Sequence, residues 1–442
     1  MSDAKTSESV STKQLKVAER AKREPEARLL ALAQLIDREM LVEAFGRIRK
    51  DAAVGVDGIK KEEWGGKALF ANIQGLHERM KQGRYRHQPI RRAHIPKESG
   101  KTRPIGISCI EDKVVQNALT MVLEMIYEPV FLECSYGFRP RRSAHDALRA
   151  LNAECMRGKI NWVLEADIES YFDSIDRKLL MEMLRQRVND ESFMRLIGKC
   201  LHVGVLDGEQ YTEPGTGTAQ GSSLSPILGN VYLHHVLDVW FEREVKPRLK
   251  GHAHLVRYAD DFVIGFELEH DARRVMEVLH KRMAKHGLRL HAEKTRLLPF
   301  NKPPSGQSGG KGPGTFDFLG FTLYWRRTRR GTWAQNFRTR TARLRRSKQA
   351  IDDYCRSQRH KSVKEQHAAL RRRVHGHINY FGVNGNVRNV VRLVRATERS
   401  WYKWLQRRSN RTRLTWQRFA KLLQAFPLPV PQVKAQLWAK LT

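Results

Sequence analysis

The chain has 442 residues, with 81 Lys/Arg against 47 Asp/Glu, and two fifths of it is hydrophobic. That length is too great for one ordinary core and suits two or three lobes, and the apolar fraction excludes a chain disordered throughout. The longest apolar stretch, Met121 to Leu132, is broken by Glu124, Glu128 and Pro129, and the opening MSDAKTSESV lacks a secretory core, so a cytoplasmic protein with no membrane partner is expected.

In chain order, residues 13–50 read as helical, with a break before Pro25 and a better amphipathic stretch from Leu29 to Ile48. AAVGVDGI (52–59) is a turn-rich bend. Residues 90–107 read as two short strands around the loop KESGKTR, with Ser99-Gly100 at its tip, followed by a helix from Lys113 to Tyr127. NWVLEADI (161–168) reads as a buried strand and Ser174 to Arg187 as a helix. GTGTAQGSSLSP (215–226) is a loop leading into a helix from Ile227 to Phe241, and LVRYADDFVIGF (255–266) is two apolar strands around an acidic turn. Asp271 to His286 is an amphipathic helix. LRLHAEKTRLLPF and TFDFLGFTLYW read as strands separated by NKPPSGQSGGKGPG, a surface insertion more than a domain linker because strand-like sequence resumes at once.

From Gln335 onward the pattern is expected to be wholly helical. Leu344, Ile351, Tyr354 and Cys355 mark one apolar face. Leu370, Val374, Ile378 and Phe381 mark a second, ended by Gly382, and Val390, Val394, Trp401, Trp404 and Leu405 a third. Thr415 is the expected N-cap of a last helix burying Trp416, Phe419 and Phe426. Residues 301–442 hold 32 Lys/Arg against five Asp/Glu, whereas the first 300 hold 49 against 42. Self-repulsion works against such an imbalance, and a polyanionic partner offsets it by counterion release. Nucleic acid is therefore the expected partner. The five cysteines form no C-x-x-C pair and read as buried small side chains in a reducing compartment.

Asp260 and Asp261 at a hairpin tip are by themselves ordinary turn residues. Asp167 changes that reading, because it ends a strand too apolar to lie on the surface, where an unpaired carboxylate is costly. An aspartate leaving a buried strand beside a turn with two more suits paired Mg²⁺ ions, whose hard oxygen ligands are completed by substrate phosphates.

This constellation resembles the palm of reverse transcriptases, whose hairpin motif has the form Y-x-D-D, here Tyr258-Ala259-Asp260-Asp261. The other blocks follow in that family's order: Ile95-Pro96-Lys97 with Arg103-Pro104-Ile105, Tyr136-Gly137-Phe138-Arg139-Pro140, and Ala166-Asp167-Ile168 with Tyr171-Phe172-Asp173. Gln220-Gly221 with Leu224-Ser225-Pro226, Glu293-Lys294-Thr295 and Phe318-Leu319-Gly320-Phe321 complete the set. The first two blocks point to the group II intron branch, and the resemblance spans roughly residues 45–405.

The resemblance implies an α+β right-hand polymerase (fingers and palm) followed by an all-α thumb/maturase domain. The implied divisions are an N-terminal helical extension (1–50), fingers and palm (51–330), thumb/maturase (331–410) and a basic helical tail (411–442). Asp167, Asp260 and Asp261 would be catalytic and hold two Mg²⁺ ions, with Mn²⁺ a possible substitute. Lys97, Arg103, Phe172 and Gln220 would contact the dNTP, with Phe172 excluding a ribose 2′-hydroxyl, although a core aromatic is an equal reading. Lys294 would be the general acid, or an ordinary surface lysine. Arg343, Arg345, Arg346, Lys348, Arg407, Arg408, Arg411 and Arg413 would meet phosphates. Tyr402 would stack on bases, whereas the spacing of Trp401 and Trp404 suits core packing.

The implied partners are intron RNA, an RNA template, a DNA primer or target and dNTPs. Two departures stand out: Ala219 and Ser222 flank Gln220-Gly221 where the family commonly has Pro and Gly, and Glu169 replaces the usual Lys. No Cys/His-rich endonuclease module follows the helical region, so nicking of a second DNA strand is not expected. The competing readings are an RNA-binding splicing factor with a vestigial polymerase site, and a reverse transcriptase serving host repair or phage defence.

Overall fold

The computed structural model describes residues 12–96, 102–213, 215–218, 221–304, 314–408 and 414–438. In chain order its strands are β1 (Ile90–Pro96), β2 (Thr102–Ile107), β3 (Trp162–Asp167), β4 (Val205–Asp207), β5 (Gln210–Thr212) and β6 (Ala253–Tyr258). Then come β7 (Asp261–Phe266), β8 (Arg296–Pro299), β9 (Phe316–Phe318), β10 (Phe321–Arg327) and β11 (Trp333–Thr339). The fold is α+β, as expected, with a helical C-terminal region. No helix among the described residues is long and apolar enough to cross a membrane. The backbone sorts into two compact units: Met1–Arg142 with Asp167–Arg248 and Glu277–Ala292, and Ser143–Ala166 with Leu249–Met276 and Glu293–Thr442.

In the first unit β1 and β2 form the expected antiparallel hairpin, and β1 also pairs in parallel with β4 in a sheet of order β2-β1-β4-β5. The central helix, Ile110–Tyr127, has neither Gly nor Pro in its length and carries Glu111 in its first turn, where a negative charge favours the helix dipole. It buries Val114, Val115, Ala118, Leu119, Val122 and Ile126. At its end Glu128 accepts from Arg139 Nε and Nη2 at 3.1 and 2.8 Å, and Arg139 Nη1 donates to the carbonyls of Leu132 and Ser135. The arginine of the Tyr-Gly-Phe-Arg-Pro block is thus a buried staple.

The N-terminal reading needs correction. Helices run Thr12–Arg23 and Arg38–Gly46, and the stretch expected to be helical from Leu29 opens instead with an isolated β-bridge at Leu29 and a 3-10 turn over Ala33–Leu35. Leu29 exchanges backbone hydrogen bonds with Arg187 and Asn189 at 2.7 and 2.8 Å. Asp37 then starts the helix by accepting from the Met40 amide at 2.9 Å.

In the second unit a sheet of order β6-β7-β3-β8 and a sheet of order β11-β10-β9 precede the terminal helices Thr341–Ser357, Val363–Phe381, Val387–Gln406 and Trp416–Ala425. Residues 333–339, expected in part to be helical, form β11, because WAQNFRT pairs with β10 along its whole length. The helices close over Leu344, Ile351, Cys355, Leu370, Leu393, Trp401 and Phe419, and Trp401 Nε1 donates to Gln366 at 3.0 Å. Thr415 caps the last helix as expected, while Trp416 is half exposed instead of buried. Beyond it the chain straps back: Ala435 N donates to the Gly382 carbonyl, Leu437 N to Asn384, and Arg149 Nε to the Gln436 carbonyl. All five cysteines are buried.

Candidate active site

β6 and β7 form an antiparallel hairpin in which Tyr258 pairs with Asp261 across the turn. The turn is tight because Ala259 takes a left-handed conformation (φ 58°), which costs an ordinary residue about 1 kcal/mol. Arg257, fully buried, donates from Nη1 to the Ala259 carbonyl at 3.1 Å and so holds that conformation. Sequence reading missed this arginine, although a lone guanidinium inside an apolar strand was the available signal. Asp260 and Asp261 are half-buried.

β3 is the neighbour of β7, and the Asn161 amide just before β3 donates to the carbonyl of Phe266, the last residue of β7, at 2.8 Å. Two paired strands joined in that way must run antiparallel, so the end of β3 comes to the edge of the sheet that carries the Tyr258–Asp261 turn. Asp167 is the last residue of β3, half-buried, and there the chain leaves this sheet. On the other side β8 pairs with β3 in antiparallel register, Glu165 opposite Arg296. Lys294, exposed, lies two residues before Arg296 in the turn leading to that same edge.

Elsewhere, within the first unit, Phe172 is half-buried in the short helix Tyr171–Ser174, with its ring 5.2 Å from that of Tyr171. Its carbonyl accepts from the Thr218 amide at 2.7 Å, and Arg177 donates to the carbonyls of Gly217 and Thr216 at 2.8 and 3.1 Å. These bonds tie the loop before Gln220 to the Phe172 turn. Gly221 (φ 108°) lies so close to β2 that a Cβ would stand 2.6 Å from the Gly106 carbonyl. This unit therefore joins the Phe172 turn, the loop flanking Gln220 and the strand of Arg103, beside a cavity of about 350 Å³ lined by Arg92, Gly106, Asp173 and Thr218. Lys97, Gln220, Arg411 and Arg413 lie outside the described residues, as does the Arg103 side chain, whose backbone pairs with Ile95.

Among the described residues no three or more His, Cys, Asp or Glu side chains cluster closely enough to share one metal ion. The carboxylates at the sheet edge are nonetheless of the donor type that magnesium takes, and a substrate-bridged pair of ions needs only part of its shell from protein.

Residues 95–323, about half of the chain, match the family model described as reverse transcriptase (RNA-dependent DNA polymerase). The chain belongs to the reverse transcriptase family. Its relatives place it in the group II intron branch. It is 32% identical over 363 residues to protein YkfC of Escherichia coli strain K12, which covers 73% of this chain and 90% of that protein. To the group II intron-encoded protein LtrA of Lactococcus lactis it is 41% identical over 184 residues, 40% of this chain and 30% of LtrA. An uncharacterized 91 kDa protein in a cob intron of Schizosaccharomyces pombe is 38% identical over 208 residues, 47% of this chain and 25% of that one. The chain thus spans less than a third of the length of the two intron proteins.

In the helical region of the chain Arg343 and Arg345 are exposed, whereas Arg346 and Lys348 are half-buried. Arg356, Lys403 and Arg407 surround the Trp404 ring at 5.9, 4.7 and 5.1 Å, and Arg408 donates to the His360 carbonyl. Tyr402 is half-buried, with Trp416 and Phe419 beside its ring at 4.9 and 5.3 Å, and its hydroxyl donates to the Leu414 carbonyl. Trp401 belongs to the core, as its spacing implied.

Proposed function

We propose that the chain is an RNA-directed DNA polymerase of the group II intron type, in which Asp167, Asp260 and Asp261 bind two magnesium ions at the growing DNA end. The observation that carries this reading is the antiparallel pairing of β3 and β7, one strand ending at Asp167 and the other beginning at Asp261. When bound, the ions stabilise charge on the attacking and leaving oxygens of nucleotidyl transfer. The buried Arg257 keeps the turn from relaxing, so the two neighbouring carboxylates stay at the sheet edge. Lys97, Arg103 and Gln220 bind the incoming triphosphate, Phe172 lies against its sugar, and Lys294 donates a proton to the departing pyrophosphate.

The domain plan is fingers and palm over 51–330, thumb/maturase over 331–410, with an extension before and a basic tail after. The arginines of the helical region grip RNA along its phosphates, including a folded intron whose splicing this assists; its charge excess supports that part. Primer extension on an RNA template, wild type against Asp260→Ala with Mg²⁺, tests the reading. Extension by the wild type and none by the variant is expected, and equal product from both refutes it.

A further inference from the structure

Tyr380, in the last turn of the Val363–Phe381 helix, links that helix to the Leu319–Gly320 turn of the second unit. Its hydroxyl donates to the Leu319 carbonyl at 2.9 Å. Its ring stacks on Phe321 with centroids 5.8 Å apart and meets Phe381 edge-on at 4.8 Å. From the other side His145 donates from Nε2 to the Tyr380 carbonyl at 2.8 Å, so the last turn of the helix is pinned to the helix Ala144–Met156.

In the turn it holds, Leu319–Gly320 between β9 and β10, Leu319 is left-handed (φ 51°), a strained conformation for a residue with a side chain that such a bond helps hold. The Arg340 amide supplies a second bond, to the Gly320 carbonyl at 3.0 Å. β9 lies against β7, the strand that begins at Asp261. Burial above all raises the Tyr380 hydroxyl to about 12, so it remains a donor at working pH. The same helix carries Arg371, Arg372 and Arg373.

We propose that Tyr380 is a positioning residue which fixes the Leu319–Gly320 turn beside the Tyr258–Asp261 turn and so couples the seating of nucleic acid on the arginine-bearing helices to nucleotide transfer. This rests on the polymerase reading above. Phe381, Phe321 and His145 sequester the ring, so Tyr380→Phe keeps the packing and removes only the bond to Leu319.

The test compares wild type and Tyr380→Phe in primer extension on an RNA template, in RNA binding, and in amide hydrogen exchange over residues 258–261 and 317–322. The expected result is a kcat lower by about fivefold to tenfold, with dNTP KM and RNA affinity within about twofold, and exchange in both segments faster by a similar factor. Unchanged exchange at 258–261, or faster exchange with unchanged kcat, overturns the coupling. If the wild type extends no primer, the polymerase reading fails by itself. Exchange then still decides whether Tyr380 positions the turn.

Discussion

Asp112, in the first turn of the Ile110–Tyr127 helix, accepts from the Tyr85 hydroxyl at 2.7 Å and from the Gln88 amide at 3.2 Å, with His87 Nδ1 3.5 Å away. Burial outweighs the hydrogen bonds from Tyr85 and Gln88: it raises the Asp112 carboxyl to about 7 and lowers His87 to about 4, so both groups favour neutrality. A carboxyl raised in the folded state stabilises fully below its unfolded value near 4, and that contribution is lost as pH climbs through 7. His87 works the other way, its contribution being complete above its unfolded value of 6.5 and lost as pH falls toward 4. Replacing Asp112 by Asn, which cannot ionise, isolates the first effect. Denaturant unfolding of both forms should show wild type losing roughly 2–4 kcal/mol relative to Asp112→Asn between pH 4 and 8. A pH-independent difference would rule out the neutral buried carboxyl. None of this was legible from residue order, because burial decides it. The three aspartates stood out for the opposite reason: their surroundings, an apolar strand and a Y-x-D-D turn, are local. Arg257 and Tyr380 act through partners distant in sequence or hidden in packing, and so escaped notice.

Elements with strong local signals were readable: the β1–β2 hairpin, the β6–β7 hairpin and the long helices all fall near their expected places. Those set by tertiary partners were not. The helices Ala144–Met156 and Glu191–Leu201 went unread although Ser143 with Asp146 forms a capping box and Asp190 accepts from Ser192 and Phe193. The part of β11 from Gln335 on was taken for helix, because what makes it a strand is its pairing with β10. The C-terminal strap had no periodicity to offer, since its bonds run to Gly382, Asn384 and Arg149. Gly382 is where it presses hardest: an added Cβ would stand 2.3 Å from the Ile378 carbonyl and 2.6 Å from that of Gln432. Gly382→Ala should therefore cost about 2 kcal/mol and release the strap, seen as a lower melting temperature and faster proteolysis after residue 426. Unaltered melting would mean that the strap yields without loss.

For the whole molecule, charge and sequence identity agree about the kind of partner while leaving its identity to experiment. Of the 32 Lys/Arg in residues 301–442, 16 lie on the four terminal helices beside only four Asp/Glu, and those helices share an apolar core. Neutralising Arg343, Arg345 and Arg407 together should lower RNA affinity at physiological salt and flatten the salt dependence by about two to three units of slope. A slope equal to wild type would place the RNA grip elsewhere. Asp167→Asn, Asp260→Asn and Asp261→Asn, each assayed for single-nucleotide addition to a DNA primer on RNA, bear most directly on the polymerase reading. Each should reduce kcat by about a hundredfold or more with RNA binding intact; an enzyme that keeps wild-type kcat without any one of the three contradicts it.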